Sequence, residues 1–350
     1  MATSITSLKK FEHQVAGHDN LLQLPTDDLI VIKPASQQER EFYEHSQQYD
    51  EFMAWIPECY GSLHASTDTE IQLLDKKLDA VTLQSNTTIN TSSNENHLDE
   101  HLCLENILNG FTRPCIVDIK LGYKIYEDSA DEVKRNKMIK NAKGTTIESL
   151  GLRISGMKTF DSIERVYTTY PKQYGRERTK DNFLNALLTY FYPTHRLDDD
   201  MEDGIPRHCT RTKDTTLEGT ITRKSLTKKK IEWIVEHFID TVMEIQEFIE
   251  EHAELQLIGC SLLLVYEGDA AAAHRVWKRM LEEDRREQST INDINDDEDN
   301  VEPKLCDIRL IDFHRSSWRP ERTEQDPTFV KALSNLVTLL HQVIEQSPLV

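Results

Sequence analysis

The sequence predicts an α+β chain in two lobes joined by a hinge, and three observations lead there. Residues 11–34 read as a β-hairpin that stops at Pro34, with a helix directly after it. Hydrophobic character lapses after about residue 66 and resumes at Leu102–Leu108, where Glu105-Asn-Ile107 forms a short crossing segment. Beyond it lies a larger half in which apolar strands alternate with amphipathic helices, the longest over Lys228–Glu254. The expected boundaries are a first lobe over 1–108 and a second over 109–350.

In the first lobe the hairpin runs Phe11–His18, then a turn, then Leu29–Lys33. Ala16-Gly17 is a small-residue turn that can let backbone amides approach a phosphate. Lys33 ends an apolar strand, so it either snorkels to solvent or reaches a nucleotide. A helix over Gln37–Gln48 puts Phe42 and Tyr43 inward and leaves Glu39 within reach of a lysine on a neighbouring strand. Trp55–Gly61 closes this layer. Residues 67–100 turn to Asn, Ser, Thr and Asp, with Ser85–Asn96 almost free of apolar side chains, and read as a surface insert.

Pro114–Gly122 is the stretch on which the second half turns. As a strand it places Cys115, Val117, Ile119 and Leu121 on one face and Ile116, Asp118 and Lys120 on the other. The first face wants a core. On the second, Asp118 and Lys120 make either a salt-bridged edge strand or a catalytic strand, the cation for a phosphate and the carboxylate for a hydroxyl or a metal.

A helix follows over Asp131–Ala142, its Lys134, Arg135, Lys137 and Lys140 forming a basic cluster one turn downstream of Lys120. Gly151–Met157 returns as a strand between glycines, Lys172–Arg176 is a basic turn, and Asn182–Tyr192 is a helix stopped by Pro193. Residues 194–222 lack periodicity and read as a loop, and Arg223–Lys230 is either a nuclear-import patch or a basic helix start. Leu257–Gly268 is nearly all apolar, so both of its faces are expected to be buried. An acidic loop is expected over about 288–303, before the strand Leu305–Phe313 that delivers Asp312 at its end. Val330–Gln346 closes the chain as a helix with Leu333, Leu336, Val337, Leu340 and Val343 inward.

Composition narrows the function. A net charge of −20 argues against an extended nucleic-acid surface, so no direct nucleic-acid binding is expected, and any local lysine cluster becomes informative. The six cysteines are scattered and none pair at metal-ligand spacing, which reads as buried thiols in a reducing compartment. No stretch reaches the length of a membrane span, and Met1–Lys10 has no apolar signal core. Buried strands ending in Asp, with a lysine on a separate N-terminal strand, are what phosphoryl transfer needs: a cation for nucleotide phosphates and a carboxylate for Mg2+. The Gly-x-x-x-x-Gly-Lys-Ser/Thr loop and the His-Arg-Asp loop of protein kinases are both absent.

Four motifs taken together resemble the inositol polyphosphate kinase family, most closely its fungal multikinases. They are Gln14-Val-Ala-Gly-His18, Pro114-x-x-x-Asp118-x-Lys120-x-Gly122, Ser261-Leu-Leu263 and Ile311-Asp312-Phe313, in that order. The resemblance spans about residues 8–345 outside the inserts. It implies a protein-kinase-like two-lobed fold with antiparallel sheets and an inserted inositol-phosphate-binding helical segment at about 123–143. It also implies ATP- and Mg2+-dependent phosphorylation of inositol 1,4,5-trisphosphate and tetrakisphosphate to the pentakisphosphate.

By the same resemblance Lys33 would contact the ATP phosphates, positioned by Glu39, and Glu105 and Ile107 would form the hinge that reads adenine. Asp118 would lie near the ribose and the substrate hydroxyl, Lys120 would hold the transferring phosphate and the inositol ring phosphates, and Asp312 would be the main Mg2+ ligand with Ser261 nearby. Lys134, Lys137, Lys172 and Arg176 match substrate-phosphate positions. The chain departs from the family where Asp-Phe-Ala-His reads Asp312-Phe-His-Arg315, placing bulk and charge beside the metal ligand. The short segment between Gly122 and Gly151 favours a multikinase over a single-step trisphosphate 3-kinase or a hexakisphosphate kinase. Fungal relatives also suggest MADS-box transcription regulators as partners, a nuclear and cytoplasmic location, and a co-regulator role for the inserts. A phosphatidylinositol-bisphosphate kinase activity is a further expectation.

Overall fold

The computed structural model describes residues 8–11, 14–15, 21–24, 27–63, 101–195, 201–202, 205–206, 208–215, 224–287 and 302–348. Two antiparallel sheets organise it. The first contains β1 (Lys9–Lys10), β2 (Leu22–Leu24), β3 (Asp27–Pro34), β4 (Cys59–Leu63) and β5 (His101–Glu105), in the order β1-β2-β3-β5-β4. Of the strand expected over Phe11–His18, the described residues Phe11, Gln14 and Val15 lie in no strand and the others lie outside the described residues; β3 pairs with β2. Leu22 lies opposite Ile32, so two branched aliphatics meet there, which the 11–18 stretch has few residues to match. The Ala16-Gly17 turn lies outside the described residues.

The second lobe adds β6 (Pro114–Leu121), β7 (Leu152–Asp161), β8 (Val166–Tyr170), the short pair β9 (Met201–Glu202) and β10 (Ile205–Pro206), β11 (Thr210–Lys213), β12 (Leu255–Gln256), β13 (Ser261–Glu267), β14 (Cys306–Ile311) and β15 (Ser317–Trp318). Six of these form one sheet in the order β11-β8-β7-β6-β13-β14. β6 is therefore flanked on both sides, and the edge-strand alternative falls away. Cys115, Val117, Ile119 and Leu121 are fully buried in the main core with the helices Phe183–Phe191, Lys228–Glu251 and Pro327–Glu345. Each such aliphatic side chain contributes roughly 1.5–3 kcal/mol by leaving water.

The opposite face of β6 looks into the cleft, and its register decides what stands beside it. Ser261 of β13 pairs with Lys120 and also with Ile311 of β14, while Leu263 pairs with Asp118. On the β7 side the register slips between Asp118 and Ile119: Asp118 lies opposite Gly156 and Ile119 opposite Ile154, so Ser155 is the extra residue. A bulge of this kind re-aims a side chain. The lobes meet where Leu310 N donates to Trp55 O at 2.7 Å and where Phe313 stacks on Phe42 at 4.3 Å between ring centroids.

Several other expectations change. Lys172–Arg176 is a five-residue helix, and a Cβ at its Gly175 would come within 1.8 Å of Ile154 O, so glycine alone fits there. Part of the loop expected at 194–222 is ordered, because Thr210–Lys213 pairs with β8 as an edge strand. Residues 123–143 contain a single helix, Glu132–Ala142, with a shorter one at Thr146–Leu150 just beyond. Lys228–Lys230 form the first turn of the long helix, with Lys230 buried; Arg223 lies outside the described residues. The insert at 67–100 and the acidic loop up to 301 also lie outside them. Among the described residues no helix is long and apolar enough to cross a membrane.

Candidate active site

Lys33 anchors one end of the cleft. Its Nζ donates to Glu39 Oε1 at 2.7 Å and to Asp312 Oδ1 at 2.6 Å. Burial works against the ammonium charge, but the carboxylates of Asp312 and Glu39 outweigh it and hold the pKa above the usual lysine range. An ammonium has three donors, so one remains for a ligand. Glu39 is buried on a helix whose N-cap is Ser36, and its Oε1 also accepts the Phe313 N–H at 3.1 Å. One carboxylate thus fixes both the lysine and the strand end carrying Asp312. Asp312 itself has φ +66°, in the left-handed region a non-glycine residue rarely adopts. Burial pushes its pKa up, and Lys33 more than reverses this, holding it below the usual carboxylate range.

Behind this pair lies a cavity of about 490 Å³, within the range of small-molecule sites. Val31 and Leu104 line it from the first lobe, Ile116, Leu263 and Ile311 from the second, and Glu105–Leu108 along the connection. Asp118, Asp312 and His314 close its polar end. The Glu105 carboxylate is already engaged: it accepts the Glu58 N–H at 3.3 Å and lies 3.7 Å from Lys304 and 3.9 Å from Arg309. The Glu105 N–H is also spent, donating to Glu58 O at 2.8 Å.

Asp118 is 4% exposed. Its Oδ1 has no hydrogen-bond partner, although the hydroxyls of Ser261 and Ser155 bond to the carboxylate. Burial, and then the neighbouring Asp312, push its pKa up to about 6. An orphaned carboxylate oxygen facing a second carboxylate is an arrangement that a divalent cation resolves. The described residues contain no group of three or more metal-ligating side chains, so an ion held by Asp118 and Asp312 would complete its shell from ligand oxygens and water. Ser261 sits in register with Lys120, and its hydroxyl is spent on Asp118.

The other end of the cleft is cationic. Lys120 Nζ donates to Gly259 O at 2.6 Å, and burial holds its pKa below the usual lysine range. Arg153, directly opposite Lys120 across the β6–β7 pair, is buried with its Nε unpartnered. Burial and then Arg176 lower the Arg153 pKa, while burial, Arg176 and Arg153 do the same to Lys172. Lys120, Arg153, Lys172 and Arg176 therefore form one electrostatic group, with Asp118 acting on three of them. His314 is pushed down to about 4 by burial and by Arg315, so it is neutral at pH 7.

The sequence-predicted residues fall into three sets. Lys33, Glu39, Glu105, Ile107, Asp118 and Asp312 line one cavity. Lys120 and Ser261 stand beside Asp118, and Lys172 and Arg176 act electrostatically with Arg153 on the β7 side of Lys120. Lys134 and Lys137 stand on a helix with no buried residue; Lys134 pairs with Glu127 at 3.5 Å, and no ion pair among the described residues holds Lys137. Arg135, counted with that basic cluster, turns inward over the Tyr126 ring. Arg153 was missed. Its signal was an arginine inside a β-strand between two apolar neighbours, a place where a charge needs a reason.

A family model described as inositol polyphosphate kinase matches residues 101–341. The chain is 30% identical over 302 residues to the inositol polyphosphate multikinase of Saccharomyces cerevisiae, covering 76% of this chain and 74% of that one. With the multikinase of Schizosaccharomyces pombe the identity is 29% over 184 residues, 53% and 63% of the two chains. Inositol hexakisphosphate kinase 3 of Mus musculus is 23% identical over 250 residues, 70% and 51% of the chains. In fold, the chain is similar to the crystal structure of the S. cerevisiae inositol phosphate multikinase Ipk2 in complex with ADP and Mn2+. There the TM-score is 0.58 at 24% identity, over 90% of this chain and 99% of that one.

Proposed function

The chain belongs to the inositol polyphosphate kinase family, and we propose that within it this protein is a multikinase. It would use ATP and Mg2+ to phosphorylate inositol 1,4,5-trisphosphate and tetrakisphosphate toward the pentakisphosphate. The observation that carries this reading is the junction at the polar end of the cavity. There Lys33, Asp118 and Asp312 meet the cations Lys120, Arg153, Lys172 and Arg176.

Each residue has a part that its surroundings support. The apolar walls and the backbone of Glu105 and Ile107 would hold the adenine. The free donor of Lys33 would take a phosphate oxygen while Glu39 keeps the ammonium in place. Asp118 and Asp312 would hold Mg2+, which when bound neutralises charge spreading over the β- and γ-oxygens. Lys120 would stabilise the transferring phosphoryl group, and Asp118, while holding the cation, would lie near the attacking hydroxyl. Arg153, Lys172 and Arg176 would bind ring phosphates, whose charge offsets the mutual repulsion of these cations.

An open substrate side supports more than one step. The connection between β6 and β7 holds only two helices, and the larger buries none of its side chains, so this connection would leave the ring free to take more than one orientation. A nuclear and cytoplasmic location belongs to the same reading. The test is a chromatographic assay of the purified protein with ATP, Mg2+ and inositol 1,4,5-trisphosphate. Stepwise conversion through tetrakisphosphate to pentakisphosphate is expected. A stop at tetrakisphosphate would replace the multikinase with a single-step kinase, and turnover of the hexakisphosphate alone would replace it with a hexakisphosphate kinase.

A further inference from the structure

The helix Glu132–Ala142 has a face that phosphoryl transfer leaves unexplained. At about 100° per residue, Ile139, Asn136, Lys140, Val133 and Lys137 follow one another round an arc of about 160°, and all five are exposed. Arg135, Met138 and Ala142 lie on the other side and are partly buried, so the exposed arc is turned away from the body of the protein. Val133 is 81% exposed, more than any other large apolar side chain among the described residues, and Ile139 is 45% exposed. One exposed aliphatic is ordinary on a protein surface. Two on one arc, interleaved with lysines on a helix that buries nothing, make a surface of mixed character.

The positive charge on this helix is also free. Residues 131–143 hold five cations and two carboxylates in a chain whose net charge is −20. The neighbouring acids are committed elsewhere. Asp131 caps the helix by accepting the Lys134 N–H at 2.7 Å, and Asp128 takes Lys124 at 2.5 Å. Glu127 pairs with Lys134 at 3.5 Å, and Glu148 accepts the Gly144 N–H at 2.8 Å. Glu132 shares the Ile139 edge of the arc. Among the described residues no ion pair holds Lys137, Lys140 or the C-capping Lys143.

We propose that this face docks on an anionic lipid bilayer. Val133 and Ile139 would enter the interface, and Lys137, Lys140 and Lys143 would lie among the headgroup charges. Charge complementarity and the two aliphatics select this occupant together. A bilayer takes both kinds of side chain, because lysine stems are apolar up to the ammonium group. A nucleic-acid backbone would satisfy the lysines and leave the aliphatics in water. The surface is independent of the kinase reading: it selects no headgroup and places no lipid in the cleft. Because the rest of the chain is acidic, the attraction is local and would orient the protein with this helix against the membrane. It would be screened beyond about 10 Å at ordinary ionic strength.

The test is sedimentation of the whole chain with vesicles of phosphatidylcholine alone and of phosphatidylcholine with phosphatidylserine, neither of which carries an inositol headgroup. Native protein is expected to bind the anionic vesicles at least about tenfold more strongly, and the difference should shrink as salt is added. Lys140→Gln with Lys143→Gln should reduce that binding about tenfold. Val133→Asn with Ile139→Asn should reduce it severalfold at every salt concentration. All four side chains are exposed, so both variants should melt like the native chain. Equal binding to the two kinds of vesicle, binding to neither, or no loss in the lysine pair would overturn the proposal. Loss in the lysine pair with none in the aliphatic pair would replace the bilayer with a purely polyanionic partner such as nucleic acid. Binding abolished by inositol 1,4,5-trisphosphate would move the contact from the helix to the cleft.

Discussion

At the end of the cleft proposed for the nucleotide, Lys33 is clasped by two carboxylates and an apolar cavity of about 490 Å³ stands behind it. On the side proposed for the substrate, the helix Glu132–Ala142 buries none of its residues, and Lys134 and Lys137 stand in solvent. The first end is enclosed by packing and set by short hydrogen bonds. The second is assembled by gathering positive charge in a chain whose net charge is −20. This difference separates what perturbs each end. Changes of shape and of single short bonds should dominate at the nucleotide, and changes of charge and ionic strength at the inositol phosphate.

The sharpest contrast should come from Asp312→Asn. It weakens the Lys33 clasp and removes a metal-binding charge together, so kcat should fall a hundredfold or more, on the order seen when one preorganised electrostatic group is lost. Replacing both Lys134 and Lys137 should cost far less, and equal losses would break the comparison.

Stability gives the next effect. Asp118 is raised to about 6 in the folded protein, so in metal-free solution its ionisation opposes folding. The penalty is absent below the unfolded pKa of 3.8, grows as pH rises through the folded value, and is complete above it. Asp118→Asn should therefore be more stable than native protein at pH 8, by on the order of 3 kcal/mol, with the gap closing near pH 4. Chemical denaturation in the presence of EDTA at the two pH values measures it, and the same variant should be inactive.

Ile116→Ala probes the cavity wall. The side chain is buried beside Ile107 and Val265, so its loss should cost about 2–5 kcal/mol of stability. KM for ATP should rise with no change in KM for the inositol phosphate. The smallest effect belongs to the exposed lysines. Lys134→Ala with Lys137→Ala should leave stability within about 0.5 kcal/mol and raise KM for the inositol phosphate only severalfold. That increase should shrink as salt is added, because screening weakens the same interactions in native protein.

Much of this architecture could be read from spacing. The period-two alternation of Pro114–Gly122 already separated a core face from a polar one, and β6 keeps that division because its register is pinned by burial. Lys33 and Glu39 are six residues apart and Asp312 lies 279 residues beyond Lys33, but each stands at or beside an element's end, so their placement at a cleft was legible once two lobes were inferred. The partner of β3 could not be read from the Phe11–His18 stretch, whose described residues Phe11, Gln14 and Val15 lie in no strand. Short alternating stretches do not name their partners, and Leu22–Leu24 offered better cross-strand neighbours to β3. Arg153 stood out as a charge between two apolar strand neighbours, but its place opposite Lys120 depends on a strand pairing that spacing does not show. The register slip that frees Ser155 to bond Asp118 is likewise invisible in one dimension.

The most direct test of a cleft with separable ends is equilibrium binding by Lys172→Ala/Arg176→Ala protein beside native protein. A non-hydrolysable ATP analogue with Mg2+ and inositol 1,4,5-trisphosphate would be titrated in parallel. The account predicts trisphosphate affinity reduced about tenfold or more, as expected for loss of charge-assisted bonds, with affinity for the ATP analogue unchanged. A parallel loss of both affinities, in protein that melts like the native chain, would contradict it.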